Sequence, residues 1–260
     1  MNTTQMIKNK IKEWGATIIG VAPVERFEGA PAGHHPNDFI VNARSVISIG
    51  LRLLPSIVDW PSLLVNSEII EKATQITVTQ DHFYGRCGYE TMNILLEQIG
   101  LKTAHFLENI GFRSIYFPAT YAHHAPIMEE IPGFLAPFSH KHAAVRAGLG
   151  EFGLNGLVIT PKFGPRMRFM SVITEAELKP DPLLEKKTCL GVKCSLCIKK
   201  CGTQCLSFSS INNESEVWLN IPSIVDKVKC YSRHRKVGCW GRCINVCPVS
   251  YKAKKQLGKK

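Results

Sequence analysis

Eight of this chain's ten cysteines fall after position 193, and that crowding constrains the fold more than any other feature of its 260 residues. The stretch CSLCIKKCGTQC, Cys194 to Cys205, sets four thiols within three turns' worth of chain. Their meaning depends on compartment, since oxidising surroundings make disulfides of such thiols and reducing ones make metal ligands or redox groups. The opening segment MNTTQMIKNKIKEWG has no twin arginine and no apolar run ending in a small-residue cleavage site. No apolar stretch approaches the ~18 residues of a membrane helix. The expectation is a cytoplasmic protein without a membrane span, and hence metal ligation.

Two groups are visible. The first is Cys194-x2-Cys197-x3-Cys201-x3-Cys205; the second is Cys239-x3-Cys243-x3-Cys247-Pro248, with Cys230 upstream. A two-cluster ferredoxin uses C-x2-C-x2-C-x3-C-P, three close cysteines holding one cubane and the fourth reaching to the other. Both groups follow that layout with an extra residue in each and Leu206 where proline is usual. The pattern predicts two [4Fe–4S] clusters, one on Cys194, Cys197, Cys201 and Cys247, the other on Cys205, Cys230, Cys239 and Cys243. Cys87 and Cys189 are left over, Cys87 as a packed residue and Cys189 as a possible substitute ligand. Tetrahedral zinc is the alternative, but it typically uses two separated pairs and not runs of three or four.

The remaining sequence reads as an ordinary globular chain, 45% hydrophobic and 20% charged. Helical spacing over residues 4–14 and from Tyr89 to Ile110, the latter interrupted at Gly100, alternates irregularly with strands in TIIGVA, ARSVISIGL, RSIYF, LVIT and RFMSVIT. HKHAAVRAG reads as a short helix, and PKFGP as a turn. This rhythm predicts an α+β fold with a mixed or antiparallel sheet. At KPDPLLEKK the composition changes, placing one domain over residues 1–182 and a small ferredoxin-like one over 183–260. The net charge of +11 suggests an anionic partner, though a basic tail accounts for part of it.

AGLGEFGLNGLVITPKFGPRMRF contains a formal G-x-G-x-x-G at Gly148, Gly150 and Gly153. It follows a helix and precedes a strand, the reverse of a dinucleotide fingerprint, so a Rossmann site is rejected. So dense a glycine run still implies tight turns or close main-chain approach to something bulky.

These motifs carry a resemblance. AGLGEFGLNGLVITPKFGPRMR with FMSVITEAEL, and HHPNDFIVNARSVISIGL upstream, are similar to segments of the cobalamin-dependent iron–sulfur reductases, the group of reductive dehalogenases and epoxyqueuosine reductase. The cysteine layout resembles their C-terminal cluster module. The resemblance implies a nitroreductase-like core that binds base-off cobalamin, which the absence of a D-x-H-x-x-G motif fits, with the two clusters feeding electrons to cobalt from an external donor such as a ferredoxin or flavodoxin. It implies cofactor contacts from Gly148, Leu149, Gly150, Gly153, Asn155, Gly156, Arg168, His140 and His142. Tyr116, Tyr121 and Arg166 are the expected catalytic residues, a tyrosine or a nearby histidine giving the proton and an arginine stabilising charge.

The chain departs from both branches. The acid expected shortly before the glycine motif of epoxyqueuosine reductases is missing from IPGFLAPFSHKH, and no export signal of a respiratory dehalogenase is present. The expected substrate is a small cytosolic molecule. A tRNA substrate and a cobalamin-free electron carrier are the alternatives.

Overall fold

The first helix, α1 (Thr3–Glu13), starts where Asn2 Oδ1 accepts from Gln5 N–H at 2.8 Å and ends before Gly15, whose φ of 107° continues no helix. Ile7 and Ile11, one turn apart, are its buried stripe. The computed structural model describes residues 2–63, 81–120, 136–208, 215–233, 239 and 241–249.

Four strands form the central sheet in the order β1 (Ile18–Pro23), β2 (Ser45–Arg52), β6 (Met167–Thr174), β3 (Ser114–Tyr116). β1 and β2 are antiparallel, Ile18 opposite Gly50 and Pro23 opposite Ser45; β3 and β6 are antiparallel, Ser114 opposite Thr174. β2 is buried at every position from Ser45 to Leu51. Such continuous burial requires cover on both faces.

Helices pack against the sheet, α1 and two others among them. Helix α3 (Thr91–Asn109) runs unbroken through Gly100, where a break was expected. A Cβ at Gly100 would collide with the Met170 side chain of β6, so the glycine serves close helix–sheet packing. Helix α4 (His140–Arg146), capped by Ser139, presents Ala143 and Ala144 to the opposite side. There Gly20 of β1 lies so near that its Cβ would stand 2.6 Å from the Ala147 carbonyl oxygen. Phe27, Phe117 and Phe138 fill the core on this side, Phe117 stacked on Phe138 at 5.1 Å. Burying each ring contributes on the order of 2 kcal/mol. Helices on both faces of an antiparallel sheet make the fold α+β, as the irregular alternation predicts.

The chain forms two compact units of interleaved segments. Residues 1–51, 93–151 and 168–186 make the first; 52–92, 152–167 and 187–260 make the second. Only the last crossing, at 186/187, lies at the change of composition that sets the sequence-based division at 182/183. The second unit holds α2 (Pro55–Leu63), a π-helical stretch Asp81–Glu90, Phe152 of the short strand β4 (Glu151–Phe152) and its partner strand β5 (Val158–Ile159), the hairpin β7 (Leu206–Phe208) and β8 (Ser223–Val225), and the short helices α5 (Leu196–Lys199), α6 (Lys227–Arg233) and α7 (Arg242–Asn245). Leu53, Val58, Tyr84 and Ile244 form one of its cores. Cys87, expected to be packed, is exposed on the π-helical stretch. Among the described residues no helix is long and apolar enough to cross a membrane.

Candidate metal centre

The cysteine segment is built from tight turns. Gly191, at φ 64°, lets its carbonyl accept from Cys194 N–H (3.1 Å) and Ser195 N–H (3.2 Å), which aims the first thiols inward. Ser195 (φ 42°) and Gln204 (φ 54°) are the two non-glycine residues in left-handed conformation among the described residues. Both sit inside the cysteine turns. Strain of this kind, about 1–3 kcal/mol per residue, persists where the surroundings fix the geometry for a purpose. On the far side Gly241 (φ 75°) starts α7, and a Cβ there would stand 2.8 Å from Tyr84 Oη. α7 carries Cys243 and leads to Cys247.

The thiols fall into two sets. Cys189, Cys194, Cys197 and Cys247 line one pocket with Leu154, Ile159 and Pro248, enclosing about 350 Å³ of empty space, open mouth included. Cys201 is absent from that pocket; its Sγ is 3.6 Å from Cys205 Sγ. Cys205 hydrogen-bonds with Cys230, and the charges of Cys239, Cys230, Cys197 and Cys201 all act on Cys243. Cys189, and not Cys201, thus lines the pocket with Cys194, Cys197 and Cys247, while Cys201 lies against Cys205. The five-residue step from Cys189 to Cys194, against three from Cys194 to Cys197, is the signal that spacing arguments passed over.

Electrostatics in the two sets favours a cationic occupant. Burial, then the charges of Cys189, Cys247 and Cys194, push the Cys197 thiol up to about 12. Burial pushes Cys205 up to about 12 as well, while Cys243 is driven well above the ordinary thiol range by burial and then by Cys239 and Cys230. Cys201 differs. Burial acts to raise it, but the Thr203 hydroxyl, 3.4 Å from its sulfur, and the N–H groups of Cys205 and Leu206 outweigh that and bring it down. Thiols that destabilise one another as anions ionise together only around positive charge, which iron or zinc supplies. Among the described residues no three ligand-type side chains converge on a single-ion site. The four-thiol pocket has the donor set and apolar walls that fit a cubane.

Several residues assigned by sequence lie elsewhere. Arg166, an expected catalytic group, is buried in the second unit, its Nη2 donating to Asp59 Oδ1 at 2.6 Å; the two side chains are 4% and 3% exposed. Asn245 of α7 donates to the same Asp59 oxygen at 2.9 Å and to the Val58 carbonyl at 3.2 Å. Arg166 thus ties α2 to the cysteine-bearing helix and presents no open face to a substrate.

The glycine motif is divided between the units. Gly148, Leu149 and Gly150 belong to the first, where a Cβ at Gly148 (φ 72°) would run into the Pro182 carbonyl and Leu149 packs at Gly20. Gly153, Asn155 and Gly156 belong to the second. Gly153 abuts Ile159, Gly156 (φ 66°) abuts Val225, and Asn155 lines the four-thiol pocket and donates to the Cys243 carbonyl at 3.4 Å. At Gly148, Gly153 and Gly156 the close approach that glycine permits is to the chain itself.

His140 lies part-buried between two hydrogen-bond partners as a neutral ring. Its Nε2–H donates to the Pro118 carbonyl (2.9 Å) and its Nδ1 accepts from Ser171 Oγ (3.0 Å). Desolvation, with Arg168 adding to it and Pro118 opposing, pushes it down to about 4, so it is neutral at pH 7. His142 is bonded to the Ser139 cap at 2.7 Å. Arg168 Nε donates to Asn93 Oδ1 (3.0 Å) and its Nη2 to the Ala119 carbonyl (3.4 Å), while Asn93 Nδ2 is a buried donor with no partner among the described residues. Tyr116 ends β3 opposite Val172, partly buried and near Gly100. Tyr121 lies outside the described residues. Asp59, Asn93 and Ser171 had no signal in sequence, being single polar residues in apolar stretches.

No family model matches the chain. A tetrachloroethene reductive dehalogenase of Desulfitobacterium hafniense is 41% identical over 112 residues, which are 42% of this chain and 16% of that protein. An epoxyqueuosine reductase of Pseudomonas aeruginosa is 22% identical over 93% of this chain and 68% of its own length. Among solved structures, epoxyqueuosine reductase from Streptococcus thermophilus superposes with a TM-score of 0.56 at 17% identity, over 96% of this chain and 67% of the other. A reductive dehalogenase described in terms of B12-dependent dehalogenation gives 0.58 at 17% identity, over 97% and 33%. At that identity the likeness is one of fold. The chain's homologues are thus reductases of two kinds, both oxidoreductases, and its matched segment spans about a sixth of that Desulfitobacterium dehalogenase.

Proposed function

We propose that this chain, a relative of the reductive dehalogenases and of epoxyqueuosine reductase, is a cytoplasmic cobalamin-dependent iron–sulfur reductase acting on a small organic molecule. The observation that carries the proposal is the gathering of Cys189, Cys194, Cys197 and Cys247 around one apolar pocket with a second thiol set beside it in sequence. In this reading those four hold one [4Fe–4S] cluster, and Cys230, Cys239 and Cys243 hold a second with a thiol of the Cys201–Cys205 pair. Bound cobalamin supplies the low-potential metal at which the substrate is reduced. Arg168 and the open Asn93 Nδ2 donor suit a carboxamide or phosphate oxygen, the groups that fringe a corrinoid. With His140 neutral, Tyr116 or Tyr121 is assigned the proton, and with Arg166 paired to Asp59 the stabilising charge is assigned to Arg168.

Residues 187–260 carry fifteen lysines and arginines against three aspartates and glutamates, while the rest of the chain is nearly balanced. A segment so charged suits an acidic one-electron donor such as a ferredoxin or flavodoxin. Anaerobic reconstitution tests the whole reading: about eight irons per chain, a broad absorption near ~400 nm, and stoichiometric base-off cobalamin binding are expected. Zinc without that absorption sinks the cluster assignment. Iron with tight flavin binding and no cobalamin binding leaves an electron carrier.

A second reading has its own support. The alignment with the Pseudomonas epoxyqueuosine reductase runs along nearly the whole chain, and the same concentrated positive charge suits a polyanion. In that reading the substrate is epoxyqueuosine in tRNA. Association with tRNA that weakens steeply with salt, together with conversion of the modified base, would select it over the small-molecule reductase.

A further inference from the structure

Nine thiols stand in the cysteine segments, whereas two cubanes offer eight iron positions. The surplus belongs to the second set, because the four-thiol pocket is complete with Cys189, Cys194, Cys197 and Cys247. Two of the remaining five, Cys201 and Cys205, are paired by the backbone. Gln204 N–H donates to the Cys201 carbonyl at 3.1 Å, and the left-handed turn at Gln204 swings Cys205 back until the two sulfurs are 3.6 Å apart. Cys205 is anchored from the other side, its carbonyl accepting from Asp226 N–H at 2.9 Å at the head of the helix that carries Cys230. It is 5% exposed and hydrogen-bonds with the Cys230 thiol. Two sulfurs this close are two routes to a single iron.

We propose, resting on the two-cluster reading above, that Cys201 and Cys205 form an exchangeable ligand position of the second cluster, Cys201 occupying it and Cys205 held in reserve. When Cys201 is lost, the Cys205 thiol releases its proton to solvent and its thiolate forms the iron–sulfur bond that Cys201 would have made. The iron keeps its oxidation state, so the exchange needs no oxidant or reductant. The protein thereby keeps its second cluster through damage to the more exposed of the two thiols, since Cys201 is only partly buried.

The test is iron content and the electron paramagnetic resonance of the anaerobically reconstituted, reduced full chain, neither of which depends on turnover. Cys205→Ala should retain about eight irons with the wild-type spectrum. Cys201→Ala should also retain about eight, with shifted g-values from the changed ligand geometry, and Cys201→Ala/Cys205→Ala should fall to about four. A drop to about four in Cys201→Ala alone, or in Cys205→Ala alone, overturns the exchange by making one thiol the sole ligand. So does a double variant that keeps all its iron. Wild-type chain that takes up no iron would instead sink the two-cluster reading, which separates the two failures. Because both single variants decide the matter, misfolding of the double variant does not shelter the proposal.

Discussion

Arg166 and Asp59, 107 residues apart in sequence, meet at 2.6 Å with less than 5% of either side chain exposed. A buried pair of this kind contributes little against an apolar replacement, yet removing one partner strands a charge. Arg166→Met or Asp59→Asn should therefore cost about 3–5 kcal/mol in denaturant unfolding, and Arg166→Met combined with Asp59→Leu should recover much of the loss. The single variants should also loosen α7, whose Asn245 shares the Asp59 oxygen, and so lower iron retention. A single variant as stable as wild type would show that the pair does not hold α2 to α7.

His140 gives a pH signature. Its folded value of about 4 lies below the ordinary 6.5, so between those values the unfolded chain binds a proton that the folded chain refuses. Stability should fall as pH drops from about 6.5 to about 4, by up to about 3 kcal/mol from this residue. His140→Asn should show a shallower acid slope than wild type over that window and the same slope above pH 7. Identical slopes throughout would place the titration elsewhere.

Gly148 and Gly29 separate backbone strain from packing. Both have positive φ, 72° and 80°, so alanine at either costs about 1–2 kcal/mol from conformation. Gly29 has nothing within 4 Å of the added carbon, whereas at Gly148 the Pro182 carbonyl must move. Gly148→Ala should lower Tm by roughly 5 °C more than Gly29→Ala, given about 2–4 °C per kcal/mol at this size. Equal losses would mean that Pro182 does not press on this turn.

The sheet strands and the long helix were legible because each repeats one local rule, alternation or a 3.6-residue period, over enough residues to stand out. Gly100 misled for a reason the same rules contain: a glycine in a helix reads as a break until its neighbour is known, and the neighbour here is Met170, seventy residues away. Arg166 and Arg168 looked equivalent, both after a Gly-Pro turn, but one falls beside Asp59 and the other beside Asn93. Long-range partners of single polar residues leave no periodic trace in sequence. The glycine motif likewise shows that tight packing is needed without showing against what.

The ligand set of the first proposed cluster gives the sharpest test of the two-cluster reading. Spacing alone assigns Cys201 to it, because Cys194, Cys197 and Cys201 are consecutive. The pocket instead takes Cys189, reached through the left-handed turn at Gly191, together with Cys247 before Pro248. Cys189→Ala and Cys247→Ala should each reduce iron from about eight to about four per chain and abolish the same half of the magnetic resonance spectrum. Cys87→Ala, on the exposed π-helical stretch, should change neither. Because Cys247 is the one ligand that comes from the distant motif, its loss must resemble that of Cys189 if the pocket is the site. Full iron content in Cys189→Ala would return that position to Cys201 and restore the assignment that spacing alone suggests.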